Sequence, residues 1–341
     1  MTIPWSAVPN GLGRRGLLRG GAAALATLAL PHVARSAGTA HVLKLGHIGM
    51  PDSQVDTGSR EMARRVEATT GGAYRVELYP GGALGGEVEL MDGLRKGEVD
   101  LAFVTAVVFA AIVPEFGVFD LPFLFRDADH AHAVLDGPIG REYLEKFRKR
   151  EFVALAWGEN GMRHLTNSKH PVHEPGDLRG LRLRVPQSPI TLRCFRQLGV
   201  DAAPLGFPAL YGALESGRFD GEENPISTIR ASHFDQVQRY LTLSGHQYNS
   251  AIIFISKDCW DDLNPAEQEA FSAAARAGGV VSRETAGRAD RDGVEALRVA
   301  GMEITRSVNR DAFLAALEPT WSQLAQQFGE DNIARMRAVG S

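Results

Sequence analysis

The segment GDLRGLRLRVPQSP, residues 176–189, places two guanidiniums on one short strand pattern. Arg182 and Arg184 alternate with Leu181, Leu183 and Val185, the period of an extended chain. Strands covered on both faces usually run apolar throughout, so arginines here need a purpose. Pro186 ends the strand directly after the second one. In open α/β sheets ligands sit beyond the carboxyl ends of the strands. An arginine at such an end suits two-pronged recognition of a carboxylate. An ion pair with an acid such as Asp177 would satisfy it equally well, and residue type leaves both readings open.

Other chemistries find little support. The chain has no HExxH, GxSxG or GxxxxGK[ST] pattern. YPGGALGGE (79–87) follows a strand and precedes a helix as a phosphate loop would, but it lacks the GxGxxG spacing. It reads as a glycine-rich turn, with Glu87 in the first helical turn where the helix dipole favours an acid. His130 and His132 on one helix diverge by about 200° and cannot easily share a metal; the stretch reads as a helix start capped by Asp127 or Asp129. His164, His170 and His173 have no cysteine or paired carboxylate at ligand spacing. Asp220, Glu222 and Glu223 could meet a hard cation, yet adjacent acids without further oxygen donors are read as solvated or paired. No metal or cofactor is expected, and no catalysis. The alternative from another class is a periplasmic lyase or hydrolase on acidic sugars.

At 341 residues, 44% apolar and 23% charged, the chain has globular composition and length for two domains. A formal charge of −4, with scattered cations, argues against nucleic acid as a partner. The basic start is different: Arg14-Arg15 precede Leu17-Leu18 and a mildly apolar run from Gly20 to Leu30, broken by Pro31. At 11 residues that run is well short of the roughly 20 of a spanning helix. Residues 1–40 therefore read as an export signal of twin-arginine type, cleaved at about 34–40, which points to the periplasm. Cys194 and Cys259 are the only cysteines, so one disulfide or two separate thiols are open.

Strands are expected at 42–49, 74–80 and 99–105, with helices over Ser53–Thr69 and Glu87–Lys96 between them. That alternation implies a parallel sheet. Residues 116–125 form an apolar loop or strand, and one helix is expected over Ala128–Lys149. The pattern restarts with the Arg184 strand, helices over Ser188–Leu198 and Ala209–Ser216, and a long strand at 248–256. Residues 264–299 have helical periodicity over a length that could cross both domains. The expected division is domain I from 41–160 plus about 250–290, and domain II from 161–249 plus about 291–341.

The stretches AWGENGMRHLTNSKHPVHEPGDLRGLRLRVPQSP, LGVDAAPLGFPALYGALESGRFDGEENP and RYLTLSGHQYNSAIIFISKDCWDDL resemble the DctP-type extracytoplasmic solute-binding proteins of tripartite ATP-independent periplasmic (TRAP) transporters. ALGGEVELMDGLRKGEVDLAF and VPEFGVFDLPFLFRDADHAHAVLDGPIG upstream are similar to the same family, so the resemblance covers residues 42–330. It implies a periplasmic-binding-protein-like α/β fold of two domains, with an interdomain cleft, crossing strands and a long helix spanning both. It also implies closure around a small carboxylate-containing solute and delivery to TRAP membrane permease subunits. A monomer is expected. In the family's terms Arg184 of the lRvP motif clamps the carboxylate. Arg163, with Asn160 nearby, Asn224 of the DGqENP motif and the ring of Phe207 complete the site. Two guanidiniums and an amide can satisfy a carboxylate that accepts four hydrogen bonds.

Departures from the family pattern bear on the ligand. Pro208-Ala209 replace a polar pair after the aromatic, and Glu222 stands where the family has Gln. Thr105 stands where some members, sialic-acid receptors among them, place an acid, which argues against sialic acid. His47, Thr105, Asn160, Gln247 and Asn249 near strand ends or cleft loops, with Glu87, are the further polar candidates and suit the hydroxyls of a sugar acid, a uronate or aldonate. Trp157 and Phe207 would suit a flatter 2-oxo or aromatic acid, a dicarboxylate is a further alternative, and Glu222 leaves room for an assisting cation.

Overall fold

The computed structural model describes residues 40–340, so the export-signal reading of the preceding segment lies outside the described residues. β1 (His41–Gly46) leads into α1 (Gln54–Thr69), whose first turn is capped by Ser53 accepting the Asp56 N–H. β2 (Tyr74–Tyr79), α2 (Glu87–Lys96) and β3 (Leu101–Thr105) follow, and β1 pairs in parallel with β2 and β3. The apolar stretch after β3 forms two 3₁₀ turns, Ala106–Ala111 and Pro114–Asp120, in the core. Next come α3 (Ala128–Asp136) and α4 (Pro138–Arg148). The single helix expected there is two, because Pro138 has no N–H to give and disfavours helical backbone at Gly137.

β4 (Val153–Asn167) is followed by β5 (Arg182–Val185), α5 (Pro189–Gln197), β6 (Asp201–Pro204), α6 (Leu210–Glu215), β7 (Gly221–Pro225) and α7 (Ile226–Ala231). The chain continues through β8 (Tyr240–Ile255), α8 (Lys257–Asp262), α9 (Pro265–Val299), β9 (Glu303–Thr305), α10 (Arg310–Phe328) and α11 (Glu330–Arg337). The nine strands among the described residues join one sheet in the order β2-β1-β3-β8-β4-β7-β5-β6, with β9 beside β8. The sheet is mixed, not parallel: the outer strands run parallel, whereas β3–β8, β8–β4 and β4–β7 are antiparallel. The reason is that β4 and β8 carry the chain from one side of the sheet to the other and back.

In these two strands the apolar run of a covered strand is confined to 152–157 and 251–255, yet β4 reaches Asn167 and β8 begins at Tyr240. The register slips at Ala154/Ala156, Glu159/Gly161 and Arg163/Leu165, and these bulges break the alternation. In the second slip Glu159 faces Ser250 and Gly161 faces Asn249, leaving Asn160 as the extra residue. Gly161 has φ +127°, and a Cβ there would also meet Pro225 at 3.1 Å, so glycine is needed where the strand bends.

α9 starts with a reciprocal cap between Asn264 and Glu267, with Pro265 in its first turn. Its 35 residues give a rod of about 50 Å, which packs against α1, α7 and β4. Contact is backbone to backbone: a Cβ on Gly278 would stand 2.6 Å from Gly58 O, and one on Gly279 would stand 2.1 Å from Trp157 O. Cys194 is buried, Cys259 half-buried, and both are free thiols.

The glycines of α9 separate two opposite effects. Gly279→Ala forces the helix off β4 and lowers the unfolding midpoint, an overpacking cost of about 1–3 kcal/mol. Gly287, where a Cβ meets nothing nearer than Arg291 Nη1 at 3.5 Å, gains from alanine, by about 0.5–1 kcal/mol of helix propensity. Thermal unfolding of the two variants should move in opposite directions.

Candidate functional site

Four strands end at one pocket. β1, β3, β5 and β7 point their carboxyl ends at it, and Ile48, Thr105, Arg184 and Asn224 mark those ends in its lining. Ser53, Gln54 and Val55 enter from the start of α1, Glu87 from the start of α2, Asn160 and Arg163 from the bulged part of β4, and Thr228, Ala231 and Ser232 from α7 and its cap. Phe207 closes one side from a 3₁₀ turn and packs on Phe234. Beside it Pro208 lies against the Gly82 turn, where a Cβ would come within 2.7 Å of the proline. The free space at the centre is ≈ 30 Å³, room for about one or two waters.

The two arginines opening on the pocket differ in what holds them. Arg163, fully buried, gives Nε–H to Glu223 Oε2 and Nη2–H to Glu223 Oε1 at 2.8 Å and to its main-chain oxygen at 2.5 Å. His246 Nε2 lies 3.2 Å from the same carboxylate. Burial works against the Glu223 charge, but the Arg163 charge and the hydrogen bonds from His246 and Arg163 outweigh it and hold the carboxyl at about 2. Arg163 is thus largely spent, with only Nη1 uncommitted among its terminal nitrogens.

Arg184 is 3% exposed and gives Nε–H to Leu205 O at 2.8 Å, with no ion pair among the described residues. Asp177 does not reach it; that acid accepts the His173 and Glu174 backbone N–H groups. Burial first, then the neighbouring charge of Arg163, lowers the Arg184 guanidinium to about 10. Arg182, on the same strand face, is half exposed and paired with Asp220 at 2.7 and 3.1 Å.

Of the residues expected at the site, Arg184, Arg163, Asn224, Phe207, Asn160, Thr105 and Glu87 line this pocket. Asn224 Nδ2 donates to Glu222 Oε2 at 2.5 Å, and Thr166 donates to the other oxygen at 2.8 Å. Burial pushes Glu222 up to about 7. Among the described residues no cluster of three or more His, Cys, Asp or Glu could hold a metal ion. Glu87 accepts the Thr105 N–H at 2.7 Å, so α2 brings an acid to the position where Thr105 itself lacks one.

His47, Gln247 and Asn249 fall outside the lining. His47 sits beneath the first turn of α1, its Nε2 3.6 Å from Asp56 Oδ1, too long for a hydrogen bond. Gln247 donates to Asp120 Oδ1 at 3.1 Å and accepts from Thr191 at 3.4 Å, bracing the start of α5. Trp157 gives its N–H to Gly140 O in the aromatic core. Sequence reading missed Gln54, Thr228 and Ser232. The rule that ligands meet the carboxyl ends of strands could have flagged Gln54 at the β1–α1 turn, but nothing in the local residue types marks it.

Asp120 sets a pH signature. Burial pushes it up to about 7 against the Ser188 hydrogen bond. Between about 4 and 7 the native state alone keeps this proton, so its contribution is whole below about 4 and is lost as pH rises through 7. Asp120→Asn should flatten the fall of stability over that window by up to about 1.4 kcal/mol per pH unit, measured by urea unfolding at half-unit steps. An unchanged slope would show that Asp120 ionises normally.

Comparison with known proteins agrees with this geometry. The profile of the DctP family, described as bacterial extracellular solute-binding protein, family 7, matches residues 45–327. The 2,3-diketo-L-gulonate-binding periplasmic protein YiaO of Escherichia coli is 32% identical over 79% of this chain and 83% of its own length. A TRAP periplasmic solute-binding protein from Polaromonas, bound to D-erythronate, superposes with TM-score 0.87 at 36% identity, covering 88% of this chain and 99% of its own. One from Bordetella, with bound density assigned as pantoate, gives 0.86 at 40% identity over 88% and 100%. The mixed sheet crossed twice by long strands, the long helix and the pocket where four strands end are those of a two-domain solute receptor, and the chain belongs to the DctP family of TRAP-type extracellular solute-binding proteins.

Proposed function

We propose that this chain is a periplasmic receptor that takes one sugar acid, an aldonate or uronate, through its carboxylate and presents it to a TRAP permease. The observation that carries the reading is Arg184: a buried guanidinium with no acid partner, at the end of a strand and on the wall of a pocket. A carboxylate placed there would complete a pair whose absence is costly in a dry site. Among the described residues that line the pocket, Arg184 is the cation without an acid partner, because Arg163 is committed to Glu223. A dicarboxylate would bring a second charge with no second cation to meet it. On the rest of the wall Glu87 is an acid occupied by the Thr105 N–H, and Gln54, Asn160, Asn224, Thr105, Thr228 and Ser232 offer neutral hydrogen-bonding groups, which suits hydroxyls. The relatives with D-erythronate and with 2,3-diketo-L-gulonate in their descriptions support the same class. Binding without turnover is the proposed activity. The two domains are proposed to divide near residues 160 and 250, where β4 and β8 cross.

Calorimetry with a panel of sugar acids tests the clamp. Arg184→Ala should cost about 2–5 kcal/mol, on the order of 30- to several-thousand-fold in affinity. Arg184→Lys should recover little, since an ammonium lacks the two-pronged geometry. Arg182→Ala, which loses only a half-exposed pair with Asp220, should leave affinity unchanged. Ligand recovered unaltered after long incubation is expected. Wild-type affinity in Arg184→Ala, or sustained product formation, would overturn the reading.

A further inference from the structure

Gln54 has one hydrogen-bonding atom that the protein leaves unused. Its Nε2 donates to Asn160 O at 2.9 Å, to Asn160 Oδ1 at 2.7 Å and to Thr228 Oγ1 at 3.2 Å. A main-chain carbonyl can only accept, so the nitrogen end of the amide is fixed against Asn160 and the oxygen end is fixed with it. Asn160 is itself held, giving Nδ2–H to Asn249 Oδ1 at 3.0 Å. Gln54 is 1% exposed and lines the pocket, and its Oε1 is buried with no hydrogen-bond partner. Buried acceptors are rarely left in that state unless something else completes them.

We propose that Gln54 Oε1 accepts a hydrogen bond from a ligand hydroxyl and thereby makes the receptor select hydroxy acids over their oxo and deoxy counterparts. The inference rests on the carboxylate-receptor reading and adds the group that discriminates within it. An amide oxygen carries no proton, so the ligand atom facing it must bring one. A C–H there leaves the acceptor unsatisfied, and a ketone oxygen sets lone pairs against lone pairs. Among the described residues, two fully buried side-chain oxygens of the pocket have no partner, and they are not equivalent in this. Ser232 Oγ is also buried and without a partner, but a hydroxyl can turn to donate or accept and so tolerates either ligand. The rigidity comes from the three contacts of Nε2, which leave the amide no second orientation.

The test uses D-erythronate, pantoate, galactonate and D-glucuronate as probes, taking the tightest binder with its monodeoxy and oxo analogues, by calorimetry on wild type and Gln54→Met. At one hydroxyl position, replacement by hydrogen or by oxo should each weaken wild-type binding about 10- to 100-fold. In Gln54→Met the same replacements should cost at least about tenfold less, the signature of a direct coupling. Equal losses in wild type and variant at every position would overturn the proposal. So would an oxo analogue that binds wild type as tightly as the hydroxy acid at every position, a result that needs no variant and stands even if Gln54→Met fails to fold. Failure of the underlying reading looks different: no probe binds wild type, or binding survives Arg184→Ala. Either of those overturns both.

Discussion

The positive charge of Arg184 is the constraint around which the pocket is arranged. A buried guanidinium without an acid is among the costliest things a fold can hold, and this one is held with a single main-chain acceptor, Leu205 O. The neighbourhood supplies charge but not contact: Glu223, Glu222 and Glu87 all favour the cation from a distance while Arg163 opposes it. Each of those acids is occupied. Glu223 answers Arg163, Glu222 takes Asn224 and Thr166, and Glu87 takes the Thr105 N–H. The effect is a guanidinium with acids near it and no carboxylate in contact with it among the described residues.

The crossing strands explain how such a charge is kept. β4 and β8 run through the sheet side by side, and the bulge at Asn160 turns a side chain out of register toward the pocket. Arg163, three residues further along β4, is locked to Glu223 on β7 and through it to His246 on β8. The ion pair therefore ties three adjacent strands at the level where the sheet passes from one side to the other. Its members are fully desolvated, so breaking it costs far more than forming it gains. That asymmetry keeps the three strands in one arrangement at this level.

Much of this was legible in the sequence, and the illegible part has a physical pattern. The Arg184 strand, α1, α2, α9 and the first three strands follow from apolar periodicity and caps, because there burial alone decides the structure. The polar halves of β4 and β8 did not, since HLTN and LTLSGH owe their strand state to bulged pairing with each other. Arg163 and Arg184 could be told apart from sequence only by family resemblance; the structure separates them by partner, Glu223 for one and none for the other. His47 and Gln247 sit near strand ends as expected, but their side chains turn to Asp56 and Asp120. Periodicity gives a residue's face, not its depth.

In the receptor proposed above, selectivity follows from how differently the two kinds of polar atom on the wall are held. Arg184 contributes attraction that any carboxylate can use, because its terminal nitrogens ask only for negative charge. Gln54 contributes a directional demand, because three contacts on Nε2 remove the freedom that would let the amide adapt. Affinity and selectivity are thus placed on different elements, β5 and the start of α1, which reach the pocket from opposite ends of the strand order. A ligand that satisfies only one of them still leaves a buried group incomplete. On that proposal closure around a solute is favoured only when charge and hydroxyl are met together, which is how a small pocket can distinguish acids that share a carboxylate.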